Sequence, residues 1–252
     1  MTTHLTIITG ASRGMGLALA QRLAVPGNAL LCISRHTNPT LDQQAKEQGM
    51  TLTQWTADLR DAASTAQQLA AWLAGKAKDF ASAALVNNAG MIPAIAPLSD
   101  VPASDISAAM RVGVEAPMLL TSAFLKATAD WKMPKKVLNI SSGLGRRAMA
   151  SQAGYCAAKA AMDHFTRCLA LEEALKPHGA KVCSLAPGVI DTDMQVQLRA
   201  APDDTFPDKA NFVGMKHSGA LTSPQDAAGR LIAYVARTEF GSEPVGDVRD
   251  LH

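Results

Sequence analysis

The sequence predicts an α/β protein of one domain spanning residues 1–252, with a doubly wound parallel sheet flanked by helices on both faces. Two observations carry this expectation. Short runs that are apolar on both faces alternate with longer amphipathic ones, the pattern of strands buried between two helical layers. The 252 residues are 48% hydrophobic and 18% charged, which suits one large domain with ample core material.

In chain order, the strand-sized runs are Leu5–Thr9, Ala29–Ser34, Thr51–Thr56, Ala83–Asn87, Lys136–Ser141 and Lys181–Ala186. Helix-sized segments lie between them, at about Gly14–Val25, Leu41–Gln48, Ala62–Lys76, Ser104–Ala129 and Ala153–Leu175. A βαβαβ order of this kind puts ligands at the carboxyl ends of the strands. Met194–Thr222, rich in Asp, Pro, Gly and Lys, breaks the rhythm. It reads as a partly helical insert, residues 194–222, acting as a substrate lid; the competing reading is a variable surface loop. A last helix, Pro224–Ala236, leads to a short strand near Val245–Val248.

Charge and composition exclude several classes. A formal net charge of +2 without a dense Lys/Arg cluster gives no footing for nucleic acid or an anionic membrane. The four cysteines (Cys32, Cys156, Cys168, Cys183) form no CxxC pair, and the six histidines are scattered, so no metal site is expected. The start of the chain carries no charged leader, and no apolar run reaches the ~18 residues of a membrane helix. The expectation is a cytoplasmic protein with no membrane partner.

Directly after the first strand comes Thr9-Gly10-Ala11-Ser12-Arg13-Gly14-Met15-Gly16. In a Rossmann-type fold, such glycines let the chain turn sharply, let backbone approach a pyrophosphate and let helix pack on sheet. The helix N-terminus then offers free N–H groups and positive dipole to phosphate.

A second cluster follows the fifth strand. Lys136–Ser142 reads KVLNISS, Tyr155 lies thirteen residues beyond Ser142, and Lys159 follows one helical turn later. Residues four apart on a helix share a face, so Tyr155 and Lys159 can reach into one cleft. A free tyrosine titrates near ~10, and a nearby ammonium is expected to lower that value. Ser141 is the alternative serine.

Gly10-x3-Gly14-x-Gly16, Asn87-Asn88-Ala89-Gly90 and Tyr155-x3-Lys159, in this order, resemble the short-chain dehydrogenase/reductase family over essentially the whole chain. The resemblance implies catalysis by Ser142, Tyr155 and Lys159 on a small-molecule carbonyl compound. It also implies a nicotinamide cofactor held by Gly10, Ser12, Arg13, Gly14, Met15, Gly16, Asp58, Leu59, Asn87, Asn88, Ala89, Gly90, Tyr155 and Lys159. Pro187-Gly188-Val189 and Thr192 would close over the nicotinamide. The second strand ends Ile33-Ser34-Arg35, where an NAD enzyme of this kind usually has Asp or Glu. Arg35 and Arg13 can instead pair with a 2′-phosphate, with Ser34 as a supporting donor, so NADP(H) is expected. One departure stands out. Aligning MRVGVEAPMLL on the family pattern puts Gly113 where an asparagine usually supports a proton-relay water. A glycine there can still leave a main-chain carbonyl free in a distorted helix turn.

Asp191–Gln195, Gly219–Leu221 and the tail look like the sepiapterin reductase branch, and APMLLTSAFLKATADWK, GYCAAKAAMDHFTRCLALEE and MQVQLR look closer to its bacterial benzil reductases. This implies reduction of one keto group of a diketone or of a pterin-like side chain. Substrate contacts would come from Ser142, Tyr155, Leu144, Met149, Met194 and the Phe206–Phe212 region, with Asp247 as a pterin anchor. Cys156 can face pocket or core. The alternatives are a general short-chain alcohol dehydrogenase or ketoreductase, and a silent NADP-binding sensor or scaffold. The apolar helices Ser104–Ala129 and Ala153–Leu175 suggest a homodimer or homotetramer.

Overall fold

The computed structural model describes residues 3–250. Its strands are β1 (His4–Thr9), β2 (Asn28–Ser34), β3 (Thr51–Thr56), β4 (Ser82–Asn87), β5 (Lys135–Ile140), β6 (Lys181–Ala186) and β7 (Val245–Asp247). Its helices are α1 (Gly14–Leu23), α2 (Pro39–Gln48), α3 (Ala62–Leu73), α4 (Ala103–Met110), α5 (Ala116–Ala127), α6 (Ala153–Ala174), α7 (Asp193–Ala200), α8 (Lys209–His217) and α9 (Pro224–Ala236). All strands run parallel in the order β3-β2-β1-β4-β5-β6-β7. The direction of winding reverses between β1 and β4, and a crevice opens at the carboxyl ends there.

The two-sided apolar strands build two cores, one on each face. Leu31, Ile7, Leu85, Val137 and Val182 lie in register across the sheet and face one way. There they meet Leu69 and Leu73 of α3, Leu120 and Phe124 of α5, and Leu169 of α6. The next row, Cys32, Ile8, Val86, Leu138 and Cys183, faces the other way. It packs on Met15 and Leu19 of α1 and on Ala227 and Leu231 of α9. Each fully buried Leu, Ile or Phe contributes ~1.5–3 kcal/mol. This alternation along each strand is what the sequence shows as unbroken hydrophobicity.

Local signals fix the helix ends. Asn38 caps α2 by accepting from Leu41 N at 3.2 Å, Pro39 opens it, and left-handed Gly49 closes it. Ser223 caps α9 in the same way, accepting from Asp226 N at 3.0 Å.

Three expectations change. The single helix expected over 104–129 is continuous over Ala103–Ala127 but holds a π turn at Arg111–Glu115, where Ala116 N–H reaches back to the Arg111 carbonyl. This 25-residue helix is long and apolar enough by composition to cross a bilayer, which the sequence reading did not anticipate. Its inner side, from Ala109 to Phe124, is core. Third, β5 stops at Ile140, so both Ser141 and Ser142 follow the strand end. The segment 194–222 holds α7 and α8, which enclose a small core of Leu198, Ala201, Phe206 and Phe212 with Ile92, Ile95 and Met149.

Candidate active site

A cleft of about 1790 Å³ runs along the carboxyl ends of the strands. Single small ligands need ~300–1,000 Å³, so there is room for a dinucleotide and a second molecule. The glycine turn forms one wall. Gly10 and Gly14 have φ of +68° and +55°, where a side chain is strained. A Cβ on Gly16 would stand 2.2 Å from the Gly10 carbonyl oxygen, so only glycine lets the first turn of α1 sit on the strand end.

The loop after β4 holds this turn in place. Asn88 Nδ2 donates to the Thr9 carbonyl at 2.9 Å and to the Gly10 carbonyl at 3.3 Å. Thr9 Oγ1 accepts from the main-chain N–H groups of Asn88 and Ala89, both at 3.0 Å. Asn88, Ala89 and Gly90 line the cleft, and Asn87 does not. Asn87, expected at the cofactor, lies behind that wall. Its side chain points into the sheet and donates to Thr121 Oγ1 at 3.0 Å and Asn139 Oδ1 at 2.8 Å, tying β4 to α5 and β5.

At the end of β2, the Ser34 hydroxyl is buried without a hydrogen-bond partner. Arg35 beside it lines the cleft and makes no ion pair among the described residues. An orphaned hydroxyl next to an uncommitted guanidinium fits an anionic ligand with acceptor oxygens. Asp58 and Leu59 also line this end, with Arg60, which sequence reasoning missed. Arg60 Nε donates to Asp58 Oδ2 at 2.9 Å, and that bond holds the Asp58 carboxyl below the usual carboxylate range. Ser12, Met15 and Arg13 lie along the turn, but Arg13 is paired at 2.7 Å with Asp193 at the start of α7.

Ser142, Tyr155 and Lys159 meet in the middle of the cleft. Ser142 is extended and caps a short 3₁₀ turn, Gly143–Gly145, by accepting from Leu144 N at 3.2 Å. Ser141 is tied to β6 through its N–H to the Leu185 carbonyl at 3.0 Å, and its hydroxyl is buried. Lys159 Nζ lies 5.7 Å from the Tyr155 ring centre and donates to the Ile140 carbonyl at 2.7 Å. Burial lowers the Lys159 ammonium to about 8, with Asp163 opposing the shift. Burial pushes the Tyr155 phenol up to about 12, only partly offset by Ser142. The expected lowering of Tyr155 by Lys159 is not found: desolvation dominates, Ser142 is what opposes it, and the phenol keeps its proton.

Gly113 sits inside the π turn, the distorted turn expected at this position. Its Cβ would lie 3.0 Å from Ala158 Cβ, immediately before Lys159. The glycine therefore lets the turn close onto α6, a contact that a side chain would have to push apart.

Pro187, Gly188, Val189 and Thr192 border the cleft beyond β6, and Leu144, Met149, Met194 and Asp247 border its far end. Of the expected aromatic wall, Phe212 reaches the cleft, while Phe206 is packed on it at 5.5 Å between ring centres, inside the cap. Cys156 is not among the cleft-lining residues, and its thiol lies 3.9 Å from the Arg147 carbonyl. Sequence reasoning missed Arg146, Arg147, Gln152, Gln195 and Arg249, which also line this end. Of these, Gln195 falls in the Asp191–Gln195 stretch that carries the resemblance, and Arg249 stands two residues from Asp247.

The model of the short chain dehydrogenase family matches residues 4–203. The chain belongs to that family. Its members are oxidoreductases that use NAD(P). A benzil reductase, (S)-benzoin forming, from Bacillus cereus is 33% identical over 96% of this chain and 96% of that protein. A sepiapterin reductase from Meriones unguiculatus is 32% identical over 94% of this chain and 92% of its own length. Among solved structures, a short-chain dehydrogenase/reductase from Burkholderia vietnamiensis is 32% identical, with a TM-score of 0.65, over 98% of this chain and 99% of that one.

Proposed function

We propose that this short-chain dehydrogenase is an NADPH-dependent carbonyl reductase that acts on one keto group of a vicinal diketone. One observation carries the proposal: Ser142, Tyr155 and Lys159 converge in the same cleft as a glycine cradle that ends on Arg35 and an unpartnered Ser34 hydroxyl. The resemblance to benzil reductases supports the substrate class.

Gly10, Ser12, Gly14, Met15 and Gly16 would hold the pyrophosphate, and Ser34 and Arg35 the 2′-phosphate. Asp58 and Leu59 would border the adenine, Asn88, Ala89 and Gly90 the adjoining ribose, and Pro187, Gly188, Val189 and Thr192 the nicotinamide. When bound, the cofactor supplies a hydride to the carbonyl carbon. Tyr155 gives its phenolic proton to the carbonyl oxygen, so C=O becomes CH–OH. Ser142 Oγ–H donates to that oxygen as charge grows on it. Lys159, anchored on the Ile140 carbonyl, places a positive charge beside the phenolate left behind. Residues 194–222 form the lid, and Asp193 at its hinge is tied to Arg13.

The exposed Met118 on α5, with Leu171 and Leu175 at the end of α6, supports pairing of these helices in a homodimer or homotetramer, which light scattering tests. Four unpaired cysteines suit the cytoplasm. NADPH oxidation with benzil, sepiapterin and a plain ketone tests the activity. Benzil is expected to be reduced fastest, and turnover of the plain ketone alone would refute the diketone assignment. Arg35→Asp is expected to lower kcat/KM for NADPH by about tenfold to a hundredfold relative to NADH. An unchanged ratio would refute the NADPH assignment.

A further inference from the structure

At the far end of the cleft, the tail residue expected to contact substrate, Asp247, gives three of its carboxylate acceptor sites to Arg249. Its side chain is 7% exposed. Oδ1 accepts from Arg249 N at 2.9 Å and from Arg249 Nε at 2.8 Å, and Oδ2 accepts from Arg249 Nη2 at 2.6 Å. Arg146 Nη2 adds positive charge 3.9 Å from Oδ2. These contacts hold the Asp247 carboxyl below the usual carboxylate range.

The partner guanidinium is the exposed member of the pair, with 59% of the Arg249 side chain accessible. A guanidinium carries five N–H donors, and Asp247 takes two. The remaining three keep a fixed direction, because the two-point grip sets the plane of the group. Among the described residues they have no protein acceptor. Arg249 also bridges the two walls that frame the reacting centre. Its Nη2 lies 3.9 Å from the Cβ position of Gly143, next to Ser142, and its Cδ lies 3.9 Å from that of Gly188 in the loop after β6.

We infer that Arg249 determines substrate specificity by donating hydrogen bonds to a second oxygen acceptor beside the reacting carbonyl, with Asp247 as its positioning residue. The substrate class is therefore a vicinal dicarbonyl, in which one oxygen meets Ser142 and Tyr155 and the other meets Arg249. The inference rests on the diketone reading above and adds the residue that enforces it.

The test compares benzil with deoxybenzoin, in which a methylene replaces the second carbonyl, in the wild type, Arg249→Leu, Arg249→Lys and Asp247→Asn. A charged donor lost from a substrate oxygen is worth about tenfold to a hundredfold. The benzil-to-deoxybenzoin ratio of kcat/KM is expected to fall by that factor in Arg249→Leu, mainly through KM for benzil. Arg249→Lys is expected to restore part of it, and Asp247→Asn to lower it severalfold by releasing the guanidinium. Because the ratio is read within each variant, a general loss of fold cancels. An unchanged ratio in Arg249→Leu, with wild-type turnover of benzil intact, overturns the inference and leaves the diketone reading standing. Wild-type preference for deoxybenzoin overturns both.

Discussion

The two ends of the cleft are built differently. At the cofactor end the walls are mostly backbone: Gly10, Gly14 and Gly16 shape the turn, and Asn88 and Thr9 clamp it through main-chain groups. Beyond the cradle the walls are side chains held by charge, between distant segments or within one turn. Arg13 pairs with Asp193, Lys216 with Asp191 at 2.6 Å, and Arg249 with Asp247. A backbone cradle tolerates almost no substitution and suits an invariant ligand. A side-chain frame can change its ligand by changing one pair.

The largest effect is expected where the cradle is tightest. A Cβ on Gly16 would meet the Gly10 carbonyl at 2.2 Å and Asn88 Nδ2 at 2.4 Å. Gly16→Ala should weaken NADPH binding by more than about a hundredfold in a fluorescence titration, since overpacking alone costs ~1–3 kcal/mol and here it also displaces the phosphate-facing turn. Gly214→Ala, with nothing within 4 Å of its Cβ, is the control and should bind normally. Normal binding by Gly16→Ala would contradict the cradle.

The middle of the cleft gives an effect of intermediate size. Lys159, lowered to about 8, carries its charge below that pH and loses it above. Tyr155, raised to about 12, stays protonated throughout. The rate of carbonyl reduction should therefore fall as pH rises through about 8, and a flat profile to pH 10 would break the assignment.

The smallest effect belongs to the charge-held end. Both partners of the Arg13–Asp193 pair are about two-thirds exposed, at 65% and 67%, so the pair contributes little to stability. Its removal should nonetheless free Arg13 for phosphate. Asp193→Ala is expected to tighten NADPH binding by up to about fivefold, matching the ~0–1 kcal/mol of such pairs. Weaker binding would mean that the pair organises the site.

This contrast also explains what the sequence could reveal. The doubly wound sheet is legible because each strand must bury both faces, so Leu31, Ile7 and Leu85 and their neighbours Cys32, Ile8 and Val86 leave unbroken apolar runs. The glycine turn and Tyr155-x3-Lys159 are legible because their geometry is local. The Arg249–Asp247 pair is local too, but nothing in its spacing says which member faces the cleft. Arg146 is brought in by the turn after β5 and Gln152 by the start of α6, from positions whose neighbours carry no pattern. Asn87 reads as a cofactor residue because it opens the Asn87-Asn88-Ala89-Gly90 motif, yet it is the last residue of β4 and its side chain bonds Thr121 and Asn139. The Tyr155 shift was misjudged because charge is visible in a sequence and desolvation is not.

The central claim is that Tyr155 supplies the proton to the carbonyl oxygen. Tyr155→Phe removes that hydroxyl and keeps the ring that fills the site. With NADPH binding checked by titration, its kcat for benzil reduction should fall by about a hundredfold to ten thousandfold. Turnover equal to wild type, with cofactor bound, would contradict the account.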